Sequence, residues 1–75
     1  MKRLGTLSRV SQGKGLVTVE DAVPSINDTV VDETLTEIGT VVDLIGPTES
    51  PYAVIAPVEE IALVDLLNTR LYLRT

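Results

Sequence analysis

The sequence contains no cysteine and no histidine, which removes disulfide staples, thiolate zinc sites and imidazole ligation of haem or metal. Phenylalanine and tryptophan are also missing, and Tyr52 and Tyr72 are the whole aromatic complement. Two rings are too few for a platform that stacks the bases of single-stranded RNA. Between Gly15 and Thr69 there is no Lys or Arg, yet all eleven acids fall there, and the net charge is −5. An acidic middle argues against a chain that wraps nucleic acid, because such affinity rests on phosphate neutralisation by Lys and Arg. No apolar run approaches the ~20 residues of a membrane-spanning helix. After the basic Met1-Lys2-Arg3, the Leu4–Ser8 stretch is too short and polar for a signal peptide. The expected location is cytoplasmic, with no membrane partner.

What remains is aliphatic. Seventy-five residues allow one small domain, 1–75, whose core must come from Val, Leu, Ile and Ala. So short a chain is marginal on its own, and a closed barrel, a partner, or both would steady it. The central stretch is Ile38–Pro57. In its first arm Ile38, Thr40, Val42 and Leu44 alternate with Gly39, Val41, Asp43 and Ile45, the period-two pattern of a strand. Gly46-Pro47 breaks the run, Pro51 closes the loop, and Tyr52–Ala56 resumes the extended pattern, which together read as a hairpin. Around it the spacing predicts strands over Leu4–Val10, Leu16–Glu20, Thr29–Asp32 and Arg70–Arg74. Leu4 and Leu7 are out of step in the first of these, and Gly5 marks a bulge or a close backbone approach. Ser11–Gly15 is a turn. Val58–Leu67 fits either two helical turns, with Asn68 as a left-handed cap, or a loop leading into a strand. Six short strands at this spacing predict an all-β fold, a small closed barrel that removes exposed sheet edges.

No catalytic constellation emerges. Without His or Cys, a nucleophile would need Lys, Ser or Thr with an unusual base, and no spacing supplies one. The adjacent acids Glu20-Asp21, Asp32-Glu33 and Glu59-Glu60 face opposite sides of an extended chain and make poor acid/base pairs. Gly13-Lys14 lacks the rest of a phosphate-loop pattern, and no oxygen-ligand calcium loop occurs. The expectation is a protein that is not an enzyme, with no cofactor, metal site or small-molecule substrate. Two surface features stand out instead. Both faces of the central hairpin carry aliphatics, with Val41 and Ile45 on one side of the first arm and Ile55 opposed to Tyr52 and Val54 in the second. Either both faces are covered within the domain or one is a docking surface. The bases Lys2, Arg3, Arg9, Lys14, Arg70 and Arg74 lie at the two ends of the chain, and pairing of the first and last strands would gather them into one basic patch.

Four pieces carry a family likeness: Val23-Pro-Ser-Ile-Asn-Asp-Thr-Val-Val-Asp32, Ile38-Gly-Thr-Val-Val-Asp-Leu-Ile-Gly-Pro47, Pro51-Tyr-Ala-Val-Ile55 and Leu71-Tyr-Leu73. Over roughly Leu4 to Leu73 the chain resembles the archaeal glycine-arginine-rich (GAR) core protein of box H/ACA ribonucleoproteins. The absence of Gly-Arg-rich tails matches the archaeal form of that family. Val58–Leu67 departs from its pattern, and Asn68 stands where a glycine is common. The resemblance implies a six-stranded, Greek-key-like barrel of the type shared with translation-factor and reductase-isomerase domains. It further implies a noncatalytic subunit that docks on a dyskerin-like pseudouridine synthase and assists RNA-guided pseudouridylation of rRNA, loading substrate and releasing product, with little direct contact to guide RNA or substrate rRNA. On this reading Val23, Pro24, Ile45, Gly46, Pro47, Pro51 and Tyr52 form the centre of a partner-binding face, with Val41 and Ile55 alongside. Prolines give a rigid loop and an aromatic beside aliphatics gives an anchor, although Ile45 and Tyr52 could equally be barrel core. The rival readings are an RNA-contacting barrel in ribosome maturation or translation, using the basic ends, and a barrel that dimerises through its apolar face.

Overall fold

The computed structural model describes residues 2–74. It contains six strands, β1 (Lys2–Ser11), β2 (Lys14–Val19), β3 (Thr29–Val31), β4 (Glu37–Ile45), β5 (Tyr52–Pro57) and β6 (Arg70–Leu73). They close into a barrel in the order β1-β2-β5-β4-β3-β6, every adjacent pair antiparallel. The expected all-β barrel is therefore present, with every strand edge paired. The ambiguous Val58–Leu67 stretch resolves as a loop with a single 3₁₀ turn, Leu63–Leu66. Asn68 ends it in the left-handed region at φ 68°, as its short polar side chain allows. Leu63 from this turn is buried with the barrel core.

β1 is longer than its alternation suggested because two bulges interrupt it. The ladder to β6 slips between Arg3 and Gly5, and the ladder to β2 slips between Leu7 and Arg9. Each bulge adds one residue and shifts the inside/outside phase, so Leu4 and Leu7, out of step in sequence, are both completely buried. The same device recurs in β4. Its ladder to β3 slips around Ile38, and its ladder to β5 slips between Val41 and Asp43. The strict alternation read over Ile38–Ile45 is corrected accordingly: Ile38 and Val41 both point inward, while Val42, Asp43 and Ile45 are exposed.

The two bulged strands are counterparts in a duplicated architecture. Leu4-Gly5-Thr6-Leu7 of β1 matches Ile38-Gly39-Thr40-Val41 of β4 in sequence, burial and register. At both glycines a Cβ would collide with a carbonyl oxygen, that of Thr18 in β2 for Gly5 and that of Ala56 in β5 for Gly39. Their hydrogen bonds match as well. The Glu20 N–H donates to the Leu4 carbonyl and the Val58 N–H to the Ile38 carbonyl, both at 2.9 Å. Asn27 and Asn68, both at positive φ, donate their N–H to Val41 and Leu7 at 2.7 and 2.8 Å. So β1–β2–β3 and β4–β5–β6 are two versions of one unit. They differ mainly in their connections: β1 and β2 are joined by the tight Gln12-Gly13 turn, with both residues at positive φ, whereas β4 and β5 are joined by the longer Gly46–Pro51 loop.

The linker between the units, 32–36, is organised by one carboxylate. Asp32 Oδ1 accepts hydrogen bonds from the Thr34 hydroxyl (2.7 Å), the Thr34 N–H (2.8 Å) and the Thr36 N–H (3.0 Å). The Thr34 hydroxyl, with help from the two backbone N–H groups, holds the Asp32 carboxyl below its ordinary value of 3.8.

Two measurements check this account. Gly5→Ala and Gly39→Ala should each lower unfolding stability by about 1–3 kcal/mol or more, because a backbone carbonyl cannot yield as a side chain does; denaturant titration of each variant reads the loss. Asp32 binds its proton more weakly when folded, so its contribution is in place above pH 3.8 and disappears as pH falls through the lower folded value. The stability gap between the parent and Asp32→Ala should therefore narrow on acid titration below that pH, and a gap constant with pH would refute the assignment.

Candidate docking face

The loop end of the β4–β5 hairpin builds the site. Ile45 and Tyr52 are directly opposite each other at the last rung of the ladder, and both point outward, 42% and 40% exposed. Gly46 follows at φ +90°, and a Cβ there would press on the Tyr52 ring at 3.3 Å, so the ring lies against bare backbone. The Ser50 N–H donates to the Pro47 carbonyl at 3.1 Å, closing a turn, and the Pro51 carbonyl accepts from the Val19 N–H of β2 at 3.2 Å. Two prolines and these two bonds fix the loop before any partner arrives, which limits the entropy lost on binding.

The Ile45–Tyr52 pair forms a ridge between two depressions. On one side a groove of about 390 Å³ is lined by Val23, Leu44, Ile45, Pro47, Thr48 and Pro51, with Val23 66% exposed. On the other, a groove of about 360 Å³ runs over Ser8, Arg9, Leu16 and Thr18, where the Ser8 and Thr18 hydroxyls share a 2.7 Å hydrogen bond. The β2·β5 seam produces this continuity: Thr18 is opposite Tyr52 and Leu16 is opposite Val54.

The duplication shows that the barrel does not need these apolar side chains. At the matching positions of the other unit, Val42 is replaced by Ser8, Asp43 by Arg9, Ile45 by Ser11 and Tyr52 by Lys14. The unit with polar residues closes just as well. Exposed aliphatic and aromatic groups at Val42, Ile45 and Tyr52 thus serve something other than closure, and clustered exposure of this kind marks an interaction surface.

Six of the residues expected at a partner face come together here: Val23, Ile45, Gly46, Pro47, Pro51 and Tyr52. Three do not. Val41 and Ile55 are opposite each other on the inside of the barrel and fully buried, because the bulge at Val42 separates Val41 from the face that Ile45 occupies. Pro24 is buried as well. The β2–β3 connection folds back on the barrel through the Ser25 N–H to Asp28 Oδ2 bond (2.9 Å) and the Asn27 bond to Val41, leaving Val23 outside and Pro24 beneath. Sequence reading missed Leu16 and Thr18, which reach the face by pairing across the β2·β5 seam, and assigned Arg9, which lies opposite Leu16 in the β1·β2 ladder, only to the basic patch. A second apolar surface, around Val64 (62% exposed) beside Val10, Pro57 and Ile61, also carried no sequence signal.

The six bases follow β1 and its neighbours. Pairing of β1 with β6 does bring the chain ends together, but Arg3 lies 3.8 Å from Glu20 and 3.3 Å from Asp21, and Arg74 lies 3.5 Å from Glu37. Lys2, Arg9, Lys14 and Arg70 form no ion pair among the described residues. They are dispersed: Lys2 opposite Leu73, Arg70 opposite Thr6, Arg9 opposite Leu16, and Lys14 at the β1–β2 turn. A shallow polar depression of about 420 Å³ lies between the 32–36 linker and Asn68–Arg70, but its Asp32 carboxylate is already engaged by the linker itself. Among the described residues no cluster of carboxylates is placed to hold a metal ion.

No protein-family model matches this chain, and a search of curated proteins returns no match.

If the face is not part of the fold's support, Ile45→Ser and Tyr52→Ala should each change the stability of the isolated protein by less than about 1 kcal/mol. Ile55→Ala, only three residues from Tyr52 but in the core, should cost about 2–5 kcal/mol. Equal losses at all three positions would show the ridge to be structural.

Proposed function

We propose that this chain is a noncatalytic docking subunit of a box H/ACA-type ribonucleoprotein, binding a dyskerin-like pseudouridine synthase through the Ile45–Tyr52 face. The observation that carries the proposal is the one-sided placement of that face: a pre-fixed apolar corner is present on one unit of a duplicated barrel and polar on the other. Its motif, Gly39-Thr-Val-Val-Asp-Leu-Ile-Gly-Pro47 followed by Pro51-Tyr52, belongs to two of the four pieces through which the chain resembles the GAR core proteins. In this reading Tyr52 and Ile45 are the buried anchors, and the Pro47–Pro51 loop and Val23 complete the seal around them. The catalytic group belongs to the synthase. The barrel contributes by holding the synthase in the arrangement that loads and releases RNA.

The charge around the face defines its partner further. Asp43 lies on the outer surface opposite Val54, Glu49 is in the loop, and Arg9 lines the groove on the other side of the ridge. The complementary surface is therefore apolar at its centre, with Lys or Arg opposite Asp43 and Glu49 and an acid opposite Arg9, an arrangement that speeds encounter and makes it salt-sensitive.

A tagged chain should retain a pseudouridine synthase and its guide RNAs from extract. Tyr52→Ala should weaken binding to the purified synthase by about 2 kcal/mol, roughly 30-fold. Asp43→Lys with Glu49→Lys should instead slow association and flatten its salt dependence. Full-strength binding by a Tyr52→Ala, Ile45→Asp double variant would place the contact elsewhere. Tight RNA binding by the isolated chain, steeply lost with salt, would favour the RNA-contacting reading.

A further inference from the structure

We infer that the seam between the two units is an interaction surface that fits a second copy of this chain, so that the barrel can close between two chains as well as within one. The pairing scheme carries this. Each unit's third strand finds no partner in its own unit: β3 pairs only with β4 and β6, and β6 pairs only with β1 and β3. The β2·β5 seam is also between units. Neither unit is a complete sheet, and each supplies what the other lacks in matching register, with the same bulges and the same Asn-led hydrogen bonds. A surface made from two versions of one unit does not distinguish whether the complement arrives along the same chain or from another molecule.

Only the 32–36 linker makes the distinction. It lets the chain reverse from Val31 to Glu37, which are opposite each other in the β3·β4 ladder. Neighbouring antiparallel strands need a turn of at least about two residues. If Val31 were bonded directly to Glu37, β3 would have to run straight on into β4. The β3 of one chain would then pair with the β4 of a second copy, and the reverse, giving two barrels. Each barrel would contain β1–β3 of one chain and β4–β6 of the other, with every ladder retained and the assembly closed by a two-fold axis.

The test removes residues 32–36 from the full chain. The deleted protein should sediment at twice the parent's mass with an unchanged β-rich circular dichroism spectrum. Cysteine pairs report the exchange cleanly, since the chain has none of its own. Thr29 and Thr40 are opposite each other across the β3·β4 ladder, close enough for a disulfide. On oxidation, Thr29→Cys with Thr40→Cys should give an internal bridge in the parent and a covalent dimer in the deleted chain. A folded deleted monomer overturns the inference. If the deleted chain fails to fold, the intact chain carrying both cysteines decides. Refolded under oxidising conditions at rising concentration, it should yield a growing fraction of compact covalent dimer. Internally bridged monomer at every concentration overturns the inference.

Discussion

The whole arrangement depends on two places where one strand crosses another closer than a side chain permits. Gly5 lies over the Thr18 carbonyl and Gly39 over the Ala56 carbonyl. At each, a bulge in the longer strand bends the sheet enough to close it with only six strands. Without that bend the sheet would keep two free edges and an uncovered inner face. With it, the aliphatic interior of Leu4, Leu7, Ile38, Val41, Ile55 and Leu71 is shut off from water. For a chain this short, without disulfides or large aromatics to fall back on, that closure supplies the apolar burial that opposes chain entropy.

Because the bend is made twice by matching segments, the molecule contains its own internal control. Where both units have the same kind of residue, the fold is the reason: Gly5 with Gly39, Leu7 with Val41, Asn27 with Asn68. Where they differ, the fold is indifferent. Among the differences, one corner exchanges polar for exposed apolar residues: Ser8, Ser11 and Lys14 of the first unit correspond to Val42, Ile45 and Tyr52 of the second. The turn between the paired strands grows there from two residues into a proline-fixed loop. The proposed docking function would account for that pattern, with the acids Asp43 and Glu49 and the base Arg9 around an apolar centre giving it a direction in charge.

The architecture was largely legible in the chain, the inside and outside of its strands less so. Turn chemistry at Gly13, Gly46-Pro47 and Asn68 and the short β-rich runs were enough to predict six strands and a closed barrel. The face assignment failed at Val41 because periodicity counts residues, whereas a bulge inserts one without a residue type that announces it. Pro24 was misplaced for a different reason: its burial follows from side-chain and backbone bonds of Ser25, Asn27 and Asp28 to each other and to β4, which no local pattern encodes. Leu16 and Thr18 joined the face only through a seam between strands distant in sequence, and Arg9 came with them as the neighbour of Leu16 in the β1·β2 ladder.

By itself the sequence determined what this protein is made of: an aliphatic, cysteine-free, base-poor chain whose Gly13, Gly46-Pro47, Pro51 and Asn68 mark where strands must stop, and whose Ile45–Tyr52 loop is apolar and stiff. These are properties of single residues and their near neighbours, so they survive without knowledge of the fold. Only the tertiary structure decided which aliphatics are core and which are surface, and that the chain is two units sharing their third strands. Those outcomes depend on the register between remote strands, which closing the barrel sets and a single inserted residue can reverse.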